Sequence, residues 1–249
     1  LLSWRNTVGW FTNTDASAEV HFRDDGSPEH NYAPAIGDSE GQSNRWIDGD
    51  GLSGVLLDGK RSTPVAEGEG QWCLALPDTL EGVELMRCSR WDPSGDGGEL
   101  WQPFAAEGVI PDSNNDRASR KGEHASAAIA VKLTLAPGES REIPVAISWD
   151  LPVTSFATGA RDLRRYTDFY GVDGCHAAAI AAEALRDWRS WHDQIKAWQA
   201  PVLARKELPE ELRMALFNEL YDLASGGSLW TAATSKDPYG RFGVLECLD

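Results

Sequence analysis

The chain has 249 residues, enough for one large domain or two smaller ones with a proper core. Its 39 acidic and 23 basic residues give a net charge of −16. A surface of that sign repels phosphate backbones and anionic lipid, so it argues against nucleic acid and against direct membrane attraction as partner classes.

Up to about residue 170 the pattern is β. Strands are expected at 52–57, closed by Asp58-Gly59, at 71–76 and at 82–91. From 127 to 135 the apolar residues alternate, with Ile129, Val131, Leu133 and Leu135 on one face. Pro137-Gly138-Glu139-Ser140 is a turn signal, and Ile143, Val145, Ile147 and Trp149 alternate after it, which predicts a hairpin. Two stretches, 24–51 and 92–126, are rich in Gly, Asp, Ser, Asn and Pro and read as long loops that could border a site. Short strands with polar turns and no intervening helix point to a sandwich.

After residue 173 the period becomes helical. Ala177, Ala181, Ala184, Trp188, Trp191, Ile195 and Trp198 form one apolar stripe on a helix expected to end at Pro201, with Trp188 and Trp191 in the core. A second helix starts at Pro209, with Glu210 and Glu211 in its first turn, carries Leu212, Leu216, Leu220 and Leu223, and closes at Gly226-Gly227.

Cys73, Cys88, Cys175 and Cys247 form no C-x-x-C pair, and their spacing does not suit zinc. A Cys73–Cys88 bridge is conceivable, and buried free thiols are the favoured reading. None of His21, His30, His124, His176 and His192 belongs to a nucleophile or metalloprotease motif, and there is no Gly-rich phosphate loop. Eleven Trp residues suit either core packing or stacking on sugar faces; Trp46, Trp101 and Trp230, in or beside loops, are the open cases. Asp237-Pro238-Tyr239-Gly240 reads as a turn. Glu246 follows among Phe242, Val244, Leu245, Cys247 and Leu248, where a carboxylate is costly unless paired or functional. The residues alone leave it either a functional group or an edge-strand Glu facing water.

Five ordered segments carry a resemblance. They are Trp149-Asp150-Leu151-Pro152, then Arg164-Arg165-Tyr166-Thr167-Asp168-Phe169-Tyr170-Gly171, Trp198-Gln199-Ala200-Pro201, Leu216-Phe217-Asn218-Glu219-Leu220-Tyr221, and Gly240-Arg241-Phe242-Gly243-Val244-Leu245-Glu246. With Ser3-Trp4-Arg5-Asn6 upstream, they resemble the glucosylceramidase-type β-glucosidases of glycoside hydrolase family 116, the non-lysosomal glucosylceramidase or bile-acid β-glucosidase type. Leu151 and Leu163 depart from that pattern, which favours aromatic residues there.

The resemblance implies a multidomain architecture, β then α. An N-terminal β-sandwich over 1–172 would be followed, over 173–249, by a linker helix and the start of an (α/α) barrel. It implies retaining hydrolysis of β-glucosides such as glucosylceramide, with Glu246 as nucleophile and no metal or cofactor. A non-catalytic carbohydrate-binding sandwich is the alternative. The general acid/base Asp of the resemblance would lie beyond residue 249, so this stretch alone is expected to be inactive. Membrane contact is expected only through a lipid substrate. Neither a signal peptide nor a membrane span is visible, so the expected location is cytoplasmic. It is left open because the chain starts Leu1-Leu2 without Met and stops in an apolar run, as though both ends were cut.

Overall fold

The computed structural model describes residues 1–9, 21–22, 28–29, 39–155, 161–218 and 228–244. Its elements in chain order begin β1 (Leu2–Arg5), β2 (His21–Phe22), β3 (Pro28–Glu29), β4 (Ser43–Gly49), β5 (Leu52–Asp58), β6 (Gln71–Pro77) and β7 (Val83–Trp91). Then come α1 (Gly98–Glu107), β8 (Ser126–Leu133), β9 (Ala146–Asp150), β10 (Val153–Ser155), β11 (Arg161–Leu163) and α2 (Thr167–Tyr170). The last are α3 (Ala177–Leu203), α4 (Glu210–Asn218), β12 (Ser228–Trp230) and β13 (Phe242–Val244). They divide into two units, Leu1–Thr154 with Val172–Leu185, and Ser155–Gly171 with Arg186–Asp249.

The first unit is β-rich, as expected. One antiparallel sheet has the order β4-β5-β6-β9, the other β1-β8-β7. Period-two alternation sends successive side chains of β5 and β6 to opposite faces. Val55, Leu57, Leu74 and Leu76 meet Ala127 and Ile129 of the facing sheet, with Trp4 and Trp72 packed beside them. The opposite face of β5 and β6 is covered too: Leu52, Leu56, Cys73 and Ala75 pack on Ala177 and Ala181 of α3. On the far side of the second sheet, Met86, Cys88, Ala128 and Ala130 pack on Leu100 of α1 and on Ile110. The strands are covered on both faces, so they read as near-continuous apolar runs, and small residues at 128, 130, 177 and 181 let helix and sheet approach closely.

Several expectations need correction. The strands around 127–135 and 143–149 do not form a hairpin: β8 pairs with β1 and β7, whereas β9 pairs with β6 in the other sheet. Alternation shows that a strand has two unlike faces; it does not name the partner. On β9 the buried residues are Ala146, Ser148 and Asp150, while Ile147 and Trp149 stay 41% exposed. Ile147 and Trp149 oppose Leu74 and Trp72, so they lie on the inter-sheet face. There they sit on an edge strand, facing a sheet of only three strands.

The two stretches read as loops contain β4 and α1. The Asp50-Gly51 pair joins β4 to β5 with φ of 54° and 83°, the positive pair a two-residue hairpin turn demands. Helix α1 is ten residues long, holds Pro103 and is flanked by the left-handed Gly97 and Gly108, a composition that imitates a loop.

In the second unit, α3 continues through Pro201 to Leu203, two residues past the expected end. Its apolar stripe is buried at Ala177 and Ala181, but Trp191, Ile195 and Trp198 are exposed, so Trp191 is not a core residue. Trp198 meets Phe217 of α4 edge-on at 5.2 Å, and Arg213 donates to the Leu203 carbonyl, which ties α4 to the end of α3. The rest of the predicted second helix, Leu220, Leu223 and Gly226-Gly227 included, lies outside the described residues.

Candidate active-site segment

The segment leading to Glu246 is built by three stretches of backbone. β13 runs antiparallel to β12, with Trp230 opposite Phe242. On the other side of β12, the Arg165 N–H donates to the Trp230 carbonyl at 2.7 Å, and the Ala232 N–H to the Leu163 carbonyl at 2.7 Å. Arg164 and Thr231 form an antiparallel bridge. Two of the motifs that carried the resemblance, Arg164 to Gly171 and Gly240 to Val244, are thus joined through one central strand.

Side chains lock the arrangement. Arg241 pairs with Asp162, and Arg165 pairs with Asp168 at 2.8 Å while its guanidinium stacks over the Trp230 ring at 5.2 Å. The Trp230 indole N–H donates to the Tyr239 carbonyl at 3.0 Å. Thr167 Oγ1 donates to the Arg164 carbonyl at 2.8 Å, starting the single turn α2. The Asp237–Gly240 turn forms as expected, with the Gly240 N–H donating to the Asp237 carbonyl at 3.2 Å. Gly240 has φ of 70°, and a Cβ on it would lie 2.1 Å from the Thr231 carbonyl oxygen. No other residue fits there without moving the strand. Glu246 itself, with Glu219 and Cys247, lies outside the described residues.

In the first unit a different polar cluster fastens α3. Asp150, fully buried, accepts the His176 backbone N–H at 2.7 Å. His176 Nδ1 lies 3.2 Å from Asp150 Oδ2 and 3.1 Å from Asp173 Oδ1, and Ser148 Oγ donates to the Ala177 carbonyl at 2.6 Å. The donor atoms of Asp150, Asp173 and His176 lie within 4.8 Å of one another. Helix anchoring accounts for the group: a buried carboxylate satisfies an orphan N–H at the start of α3 and complements the helix dipole. Sequence reasoning missed this pairing. The signal was available in the small or polar residues 146, 148 and 150 alternating with larger ones, which marks a face pressed against a helix.

The expected free thiols are found at Cys73 and Cys88, both buried, and Cys175 is free and exposed. Burial pushes the Cys73 thiol up to about 12, against a smaller opposing effect of its hydrogen bond with Ser148. Trp46, one of the open tryptophans, carries the Arg87 guanidinium 4.3 Å above its ring; Trp101 packs on Phe104 at 5.7 Å and is 59% exposed. No helix among the described residues is long and apolar enough to cross a membrane.

The family model described as beta-glucosidase 2, glycosyl-hydrolase family 116 N-term matches residues 1–191. The chain belongs to glycosyl-hydrolase family 116. Its class is therefore that of the glycosidases, hydrolases whose substrates are glycosides. The match takes in all of the first unit and the Arg164–Gly171 motif that braces β12.

Proposed function

We propose that this family 116 chain serves a retaining β-glucosidase in which Glu246 is the nucleophile. The carrying observation is the bracing of the β12–β13 hairpin by Arg165, Asp162 and Leu163, because that hairpin ends two residues before Glu246. A nucleophilic carboxylate must be held to within a fraction of an ångström of the anomeric carbon, and rigid backbone supplies that better than a free loop. Residues 1–172 are taken as the sandwich domain and 173–249 as the opening of a helical barrel. Substrates are β-glucosides, glucosylceramide among them.

In this reading Glu246 attacks the anomeric carbon as the leaving-group oxygen takes a proton from a second carboxyl, about 5–5.5 Å away. Water then releases the glycosyl-enzyme, activated by the same second carboxyl. That second group is assigned to no residue of this chain. The test uses a protein carrying this chain together with its acid/base residue, treated with a 2-fluoro β-glucoside that traps the covalent intermediate. The label is expected on the peptide containing Glu246, and Glu246→Gln should lower turnover by several orders of magnitude with substrate binding retained. Label on Glu219 or Asp249, with Glu246→Gln still active, rejects the assignment.

A further inference from the structure

We draw no further inference here: the strongest candidate, the Asp150–Asp173–His176 cluster at the start of α3, is two carboxylates around one imidazole at a helix N-terminus whose hydrogen bonds serve the helix anchoring already described, and nothing among the described residues points to a ligand there.

Discussion

Asp150 is the residue whose removal the fold should feel most clearly for its size. Its carboxylate is fully buried at the end of an edge strand and accepts the backbone N–H of His176, one residue before α3 begins. Asp150→Ala deletes a helix cap, about 0.5–2 kcal/mol, in the form of a charge-assisted hydrogen bond, about 1.5–3 kcal/mol. The two figures describe the same contact, so they overlap, and the expected loss is about 2–3 kcal/mol. For a protein of this size each kcal/mol moves the melting temperature by about 2–4 °C, so a fall of roughly 5–10 °C is expected. Urea unfolding followed by far-ultraviolet circular dichroism should show a lower midpoint at an unchanged slope. Asp173→Ala is the control: that carboxylate faces the same imidazole but is 65% exposed, and its loss should cost about 0.5 kcal/mol. Equal effects of the two variants, or an Asp150→Ala protein as stable as the wild type, would refute the view that Asp150 holds the start of α3 on the sheet.

Glu69 gives a pH-dependent counterpart. Burial opposes its ionisation, yet the Ala66 N–H at 2.8 Å, the Ser62 Oγ and N–H at 2.7 Å each, and the nearby Arg61 outweigh that and hold its folded-state value below the ordinary 4.5. The ionised carboxylate therefore contributes stability above that pH, and the contribution is lost as pH falls through the folded value. Glu69→Gln should be less stable than wild type at pH 7, with the gap closing as pH falls below 4.5 in paired denaturation curves; a gap that widens in acid contradicts the assignment. In a Cys247→Ser background, maleimide should modify Cys175 in the native state and reach Cys73 only on unfolding, because Cys73 is buried with its thiol raised to about 12. Mass spectrometry showing both labelled at one rate would count against this. Gly240→Ala should speed hydrogen exchange at the Thr231 and Arg241 amides about tenfold or more, since the left-handed backbone costs a side chain about 1–2 kcal/mol before the clash with the Thr231 carbonyl is added. Unchanged exchange there would show that the hairpin does not depend on this turn.

Much of the first unit was legible in short apolar runs bounded by turn signals. Strands β5, β6 and β7 lie where those runs put them, because each has one face in the core between the sheets. Partner choice was not legible: β8 and β9 are consecutive strands with a turn signal between them, yet they belong to opposite sheets. Burial on both faces also hid information, since Ala146, Ser148 and Asp150 look like an outward face until α3 is placed against them. The Asp50-Gly51 turn was a clear local signal inside a stretch whose composition masked it. The long stripe on α3 was read as one buried face, but only its first turns meet the sheet, and periodicity does not say how far along a helix its cover extends. Around the candidate nucleophile, the motifs were visible as separate words. That Arg164, Arg165 and Asp162 bear on the strand before Glu246 became visible only with the hydrogen bonds that join them.

The three indoles of Trp4, Trp72 and Trp149 form a row across the sandwich, with centroids 5.2 Å and 6.3 Å apart in tilted pairs. Trp4 belongs to one sheet and the other two to its partner, so the row exists only while the sheets are docked. Chromophores this close and this skewed couple their electronic transitions, and the coupled pair absorbs left- and right-handed light unequally. The row is thus an optical gauge already wired into the protein: its exciton band reports sheet docking separately from the backbone signal. A state that keeps its strands but lets the sheets slide apart would lose the Trp4–Trp72 part of that band first and keep the Trp72–Trp149 part, which lies within one sheet.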